Sequence, residues 1–291
     1  MKIGAIEAGG TKFVCGIGNE KGTIDDYISF PTAHPEETLN KAIAYFRDKD
    51  VQAMGIGSFG PIGVTPAHSD YGYITATPKP DWSGFDLLGT LKKEIDVPYG
   101  WDTDVNAAAF GESKWGVAKN LDNCVYYTIG TGIGIGIYIE ERLVHGLIHP
   151  EGGHIFTRRH PNDTYQGICP FHGDCLEGLA SGKAIEDRWS SKGDGIPKDH
   201  EAWELEAFYL SQAITNTILL LSPKIIILGG GVMQQDQLFP MIRQEVKNNL
   251  NGYVNSETLL TDIDRYIVPP GLGNFSGLYG ALALGIEAFY S

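Results

Sequence analysis

Ile3-Gly-Ala-Ile-Glu7-Ala-Gly9-Gly10-Thr11-Lys12-Phe13-Val-Cys15-Gly-Ile-Gly18 decides how the rest of the chain is read. Strand-forming residues alternate with glycine on either side of a Gly-Gly pair, which is the signature of a hairpin. A third strand, over residues 22–30, follows a short polar turn. The pattern starts again at Val125: a strand to Ile129, a turn at Gly130-Thr131-Gly132-Ile133-Gly134, and a returning strand from Ile135 to Ile139. Residues 146–149 are expected to complete a further strand. Each half thus begins strand, glycine turn, strand, turn, strand. This is a repeat of supersecondary structure rather than of sequence, and its period is too long for a solenoid. It predicts two similar α/β lobes with a cleft between them, and such clefts favour small ligands.

Helices follow in each half. Leu39, Ala42, Ile43 and Phe46 recur at helical spacing, and residues 87–95, 201–221, 238–250 and 275–290 read as further helices. Short apolar runs over 51–58, 97–101, 224–228 and 266–268 read as buried strands. The expected division is an N-terminal lobe of residues 1–115, rejoined by a last helix over 275–291. A C-terminal lobe of residues 116–274 would contain a metal-like segment over 154–175. The hinge is placed near residues 114–120.

The 291 residues are 42% hydrophobic and 20% charged, enough to build a sizeable core. A formal net charge of −14 argues against nucleic acid as a partner, which would need a basic face. ATP remains open, because backbone amides and a metal ion can offset local repulsion. The first residues read as a strand rather than a targeting segment, and no stretch approaches the roughly 20 apolar residues of a membrane span. A soluble, cytoplasmic protein is expected. Cys15 and Cys124 stand alone in apolar strands and read as reduced core residues.

Glycine lets a backbone approach phosphate closely and offer its amides. Gly9-Gly10-Thr11-Lys12 adds a hydroxyl and an ammonium, Gly130-Thr131-Gly132 makes a second such turn, and Gly229-Gly230-Gly231 a third at an expected strand-to-helix junction. None has the Walker or dinucleotide pattern, and each alone is also an ordinary loop. Together they favour a nucleotide. Asp102-Thr103-Asp104-Val105-Asn106 falls where a strand ends and a helix begins. A carboxylate there could take the proton of an attacking hydroxyl, or it could simply cap the helix. Glu7 is either an outer-sphere partner for Mg²⁺ or an edge-strand carboxylate facing water.

His154, Cys169, His172 and Cys175 have spacing that suggests tetrahedral Zn²⁺ held by two thiolates and two imidazoles. Four protein ligands leave no open position, so the site would be structural. The polar segment 158–167 has little apolar surface to fix it, and a metal clip could order it. The alternative, a Cys169–Cys175 disulfide, is disfavoured in a reducing compartment.

These pieces resemble the ROK family of sugar kinases and repressors over essentially the whole chain. The motifs are Glu-Ala-Gly-Gly-Thr-Lys at 7–12, Ser-Phe-Gly-Pro at 58–61, Thr-Asp-Val-Asn at 103–106, Ile-Gly-Thr-Gly-Ile-Gly at 129–134, Glu-Gly-Gly-His at 151–154, Cys-Leu-Glu-Gly at 175–178 and Leu-Gly-Gly-Gly-Val at 228–232. The resemblance implies an actin-like ATPase fold of two RNase H-like lobes and a homodimer, with zinc expected to brace its interface. Asp104 falls on the family's general base, and Asn106 on the neighbour that helps hold its loop. Glu151, His154 and Glu177 fall on positions facing the sugar, with Gly60, Pro61, Thr103, Asp104 and Asn106 on the same substrate side. Gly9 to Lys12 and Gly130 to Gly132 match the two phosphate loops, and Gly229 to Val232 the adenosine-side turn.

Two departures carry information. Glu7 stands where the family more often has Asp, and His172 replaces one cysteine of the usual three in Cys-Pro-Phe-His-Gly-Asp-Cys at 169–175. The latter variant is similar to the fructokinase branch, as is Thr-Pro-Lys-Pro-Asp-Trp-Ser-Gly-Phe at 77–85, whose Trp82 either lines the sugar site or packs in the core. The resemblance implies Mg·ATP-dependent phosphorylation of D-fructose to fructose 6-phosphate, with glucose, mannose or an N-acetylhexosamine as the alternative acceptors. A sugar-responsive repressor would carry an added DNA-binding module before the first phosphate motif, for which no room is expected.

Overall fold

The computed structural model describes all 291 residues. In chain order the elements are β1 (Ile3–Ala8), β2 (Lys12–Gly18), β3 (Ile24–Pro31), α1 (Pro35–Phe46), β4 (Ala53–Ser58), β5 (Tyr73–Ile74), β6 (Phe85–Asp86), α2 (Leu87–Glu94), β7 (Tyr99–Thr103) and α3 (Asp104–Trp115). They continue with β8 (Cys124–Ile129), β9 (Ile133–Ile139), β10 (Arg142–Leu143), α4 (Leu176–Ala180), α5 (Gly182–Trp189), α6 (Ala202–Leu221), β11 (Ile226–Gly229), α7 (Leu238–Leu250), α8 (Glu257–Thr261), α9 (Ile263–Tyr266), β12 (Ile267–Val268) and α10 (Ser276–Tyr290).

The two main sheets have the same plan. One is ordered β3-β2-β1-β4-β7 and the other β10-β9-β8-β11-β12. In the first, β1 to β3 form an antiparallel meander, and β4 and β7 join β1 in parallel. In the second, β11 pairs in parallel with both β8 and β12. Three hairpin-linked strands followed by two parallel ones, twice over, is the actin-like ATPase arrangement that the family resemblance implies, and it bears out the two similar lobes that the repeated glycine turns predict.

The chain divides into two compact units. The first gathers Met1–Leu121, Gly136–Pro150 and Gly271–Ser291; the second is Asp122–Ile135 and Glu151–Pro270. Residues 136–150, expected in the C-terminal lobe, therefore pack with the first unit. The reason is local bonding: Ile137 N–H donates to Asn106 Oδ1 at 3.2 Å, and Ile62 N–H donates to His149 Nε2 at 3.0 Å. The strand expected over 146–149 is also absent. β10 is only two residues long, and Gly146 N–H turns back to the Ile148 carbonyl.

In the first unit both faces of the sheet are covered. On one, Phe13, Phe46, Ile56, Phe59 and Trp82 form an aromatic-rich core with α1 and α2. Helix α1 starts with Pro35 and carries Glu36 and Glu37 in its first turn, which suits the helix dipole, and it buries Leu39, Ala42, Ile43 and Phe46. On the other face α10 packs on β1, β4, β7 and α3. Its Gly and Ala content follows from that approach: a Cβ on Gly280 would lie 1.6 Å from the Ala107 carbonyl oxygen, so no side chain fits there. Glu112 is fully buried and accepts from Val117 N–H, Gly271 N–H, Leu272 N–H and the Ser276 hydroxyl, which ties the end of α3 to the start of α10. No helix is long and apolar enough to cross a membrane.

Candidate active site and metal centre

In the first unit the β1–β2 turn is closed by Gly9 N–H donating to the Lys12 carbonyl at 3.0 Å, and Thr32 Oγ1 donates to the Gly9 carbonyl at 2.7 Å. Glu7 precedes this turn and does not face water. Its carboxyl is buried against Gly277, and Oε2 has no hydrogen-bond partner. Burial, then the nearby Asp104 charge, push its pKa up to about 7 against the opposing pull of Lys12.

Asp104 opens α3, but it is not the cap. Thr103 is, its Oγ1 accepting from Asn106 N–H at 3.1 Å. That leaves the Asp104 carboxylate available, with the adjacent Val105 N–H donating to Oδ1 at 2.9 Å. Burial raises its pKa to about 6, while the backbone hydrogen bonds pull the other way. A carboxyl tuned near neutrality at a helix start is suited to accept a proton from a hydroxyl.

Two residues expected at the substrate are used otherwise. Asn106 is 1% exposed, and both ends of its amide are committed: Nδ2 donates to Asp102 Oδ1 at 2.8 Å, and Oδ1 accepts from Ile137. It holds the loop, with both ends of the amide engaged inside the protein. Trp82 is 2% exposed, packed between Phe13, Phe59 and Phe85, with its indole N–H donating to the Ala33 carbonyl at 2.9 Å. It is a core residue. Pro61, which follows a cis Gly60–Pro61 bond, accepts from both the amide and the hydroxyl of Thr75, which fixes that turn.

In the second unit Gly130 N–H donates to the Gly132 carbonyl at 2.9 Å, and Gly182 N–H, at the start of α5, donates to the Gly130 carbonyl at 2.7 Å. Thr131 lies between them on this tight turn. Glu177, on α4, leans onto the same turn: its Oε2 accepts from Ile133 N–H at 2.9 Å. The third glycine run follows β11. Gly230 has φ +92°, and a Cβ on Gly231 would meet nothing within 4 Å, so that position is open. A single 3-10 turn over Val232–Gln234 comes next, and α7 begins only at Leu238. The helix dipole expected behind Gly229-Gly230-Gly231 is therefore absent, because the chain makes a separate turn before the helix.

His154, Cys169, His172 and Cys175 converge, with their ligand atoms all within 4.8 Å of one another. His154 Nδ1 is 3.4 Å from Cys175 Sγ and 3.7 Å from Cys169 Sγ, and His172 Nδ1 is 3.6 Å from Cys169 Sγ. Four ligands at tetrahedral Zn²⁺ bond lengths would sit roughly 3.6 Å apart, so the donor set fits that ion. Both cysteines are free, with no disulfide between them. The Glu151 carbonyl accepts from His154 N–H at 3.0 Å. His154 Nε2 points away from the sulfurs and lies 4.0 Å from Glu177 Oε1.

The polar segment 158–167 has a second anchor. Asp163 is buried and accepts from Arg188 Nη2 at 3.1 Å and from the Tyr209 hydroxyl at 2.6 Å. Arg159 pairs with Asp174 at 3.1 Å. Sequence spacing gives no hint of this, since Arg188 and Tyr209 lie on helices far along the chain. Asp102 and His145 are likewise missed, although Asp102 stands in the quoted Asp102–Asn106 stretch.

Fold and site together define an actin-like ATPase-fold protein with glycine turns, a near-neutral carboxylate at a helix start and a Cys₂His₂ centre. The ROK family profile matches residues 3–288, and the chain belongs to the ROK family. The fructokinase of Pediococcus pentosaceus is 50% identical over 284 residues, covering 98% of this chain and 97% of that protein. The fructokinase of Streptococcus mutans is 42% identical over 287 residues, covering 97% and 96%. Among solved structures, the ROK hexokinase from Thermus thermophilus superposes with a TM-score of 0.78 at 23% identity, covering 99% of this chain and 98% of that one, which speaks for the fold alone.

Proposed function

We propose that this protein is a fructokinase that transfers the γ-phosphoryl group of ATP to D-fructose, giving fructose 6-phosphate and ADP. The observation that carries the reading is 50% and 42% identity to two fructokinases over nearly the full length of all three chains. Asp104 takes the proton of the attacking sugar hydroxyl as its oxygen bonds to phosphorus and the bond to the β-phosphate oxygen breaks. Its pKa of about 6 leaves it ionised at neutral pH yet basic enough to share that proton. Glu151, His154 and Glu177 hold the sugar hydroxyls. The amides of Gly9 to Lys12 and Gly130 to Gly132 hold the phosphates, and Gly229 to Val232 the adenosine side.

Mg²⁺ bound with ATP would neutralise charge on the phosphates. Glu7 fits a role beside it, because its buried Oε2 lacks any partner in the protein. Zn²⁺ at His154, Cys169, His172 and Cys175 is structural, since the four ligands complete its shell. A cytoplasmic homodimer, with no nucleic-acid or membrane partner, accords with the ATP requirement and the free thiols.

The reading is tested by a coupled ADP-release assay against fructose, glucose, mannose, N-acetylglucosamine and N-acetylmannosamine. A kcat/KM for fructose about 100-fold above the others, near 2.7 kcal/mol of discrimination, is the expected result. A better rate on another sugar would overturn the substrate while leaving the kinase in place. Absence of turnover on all five would overturn the activity.

A further inference from the structure

We propose that His145 is a positioning residue for Asp104, acting through Asp102 and Asn106; this rests on the reading of Asp104 as the base. Asp102 is the penultimate residue of β7 and its side chain is only 3% exposed. Its carboxylate is divided. Oδ1 accepts from Thr103 N–H at 2.7 Å and from Asn106 Nδ2 at 2.8 Å, whereas Oδ2 meets His145 Nε2 at 2.8 Å. A buried carboxylate is costly unless paired, and the His145 imidazole is the ionisable side chain that meets this one. That hydrogen bond raises the His145 pKa, which favours the charged and stronger form of the contact.

The pair belongs to a larger brace. The β9–β10 hairpin meets the first turn of α3 at three points. Gly136 lies so close to Val105 that a Cβ there would be 2.0 Å from the Val105 carbonyl oxygen. Ile137 N–H donates to Asn106 Oδ1, and His145 reaches Asp102. Asp104 is the residue enclosed by these contacts, between capping Thr103 and Val105. Next to this brace His149 plays the opposite electrostatic role: burial lowers its pKa, and its neutral Nε2 accepts from Ile62 N–H behind the Gly60–Pro61 turn.

Without His145, Asp102 Oδ2 loses its partner and the carboxylate has reason to turn toward water. That change frees Asn106 Nδ2 and the Thr103 amide, and the first turn of α3 loosens around Asp104. Chemistry is far more sensitive than binding to a base displaced by a fraction of an ångström.

The test is steady-state kinetics of His145→Leu, His145→Gln and Asp104→Asn with fructose and Mg·ATP, with circular dichroism to confirm folding. His145→Leu should lower kcat about 30-fold with KM for both substrates within about 3-fold of wild type. His145→Gln, whose amide can still donate to Asp102, should recover kcat to within about 5-fold of wild type. Wild-type-like turnover of His145→Leu beside an inactive Asp104→Asn overturns the positioning role alone. So does an equal loss in the Leu and Gln variants, or a loss carried by KM. An active Asp104→Asn instead overturns the reading of the base. Should His145→Leu fail to fold, Asp102→Asn carries the same test: a kcat loss at unchanged KM supports the brace, and unchanged turnover overturns it.

Discussion

Glu177 Oε2 accepts the Ile133 amide at 2.9 Å, so a carboxylate on α4 is held by the turn that joins β8 to β9. The turn has no side chain in the way. A Cβ on Gly132 would stand 2.5 Å from that same oxygen. The glycine at 132 thus does two things: it shapes the turn and it makes room for Glu177. The other carboxylate oxygen is left facing His154.

Gly132→Ala should therefore harm function more than folding. Glu177 is partly exposed and can swing aside, so the melting temperature should move by no more than about 3 °C. Its carboxylate would leave the Ile133 amide, and kcat/KM for the sugar should fall about 30-fold, near 2 kcal/mol. Full activity in a folded Gly132→Ala variant would show that the Glu177 contact is incidental.

Asp104→Asn should lower kcat by about 1,000-fold or more while leaving sugar affinity, measured by calorimetry, nearly unchanged. The wild-type pH profile supplies an independent check. The base works ionised, and its pKa is raised to about 6, so kcat/KM should be flat above that value and fall tenfold per pH unit below it. A limb centred near an ordinary aspartate value, about 4, would reject Asp104 as the group that titrates.

Glu7 makes the opposite kind of prediction, about stability. Its pKa rises from 4.5 in the unfolded chain to about 7 in the fold, so the folded state holds its proton more tightly. Stability contributed by that proton is complete below the lower value and is lost as pH rises through the upper one. Integrated over the shift, ionising Glu7 costs on the order of 3 kcal/mol. Without Mg²⁺, Glu7→Gln should stabilise the protein by up to that amount at about pH 8 and by almost nothing at about pH 4. Equal effects at both pH values would mean that the carboxyl is not held in a desolvated site.

The parts of this protein legible in its sequence are those that local chemistry decides. Gly9-Gly10 and Gly130-Thr131-Gly132 mark hairpins because glycine between two strand-forming runs is a turn signal, and the repeated plan of the two sheets follows. The Cys and His spacing marks a Cys₂His₂ cluster because its members come from one short segment. Long-range partners are not legible. Glu112 gathers donors from residues 271, 272 and 276, and Asp163 meets Arg188 and Tyr209 through helices with their own unrelated periodicity. Trp82 and Asn106 stand within suggestive motifs, yet burial gives one to the core and the other to loop support. Motif membership records proximity to a site, whereas the hydrogen bonds decide which side chain is free to touch a ligand.

The proposed metal centre and the Asp163 anchor divide the segment before α4 between them, and this sets what metal removal should do. Residues 158–163 stay fixed by Arg188 and Tyr209, which need no metal. In the proposed zinc centre the ion would order Cys169, His172 and Cys175 and hold His154 through Nδ1, leaving Nε2 toward Glu177. Elemental analysis should find one zinc per chain. Chelation should raise hydrogen exchange over 168–175 while leaving 158–163 protected and the sheets folded. It should also lower kcat/KM by about 10- to 100-fold, the usual range when a group that orients a functional imidazole is lost. Added Zn²⁺ should restore activity, and Cys169→Ser should reproduce the loss without responding to zinc. A metal-free protein with full activity and unchanged exchange would remove zinc from the account and leave Asp163 as the sole anchor of the segment.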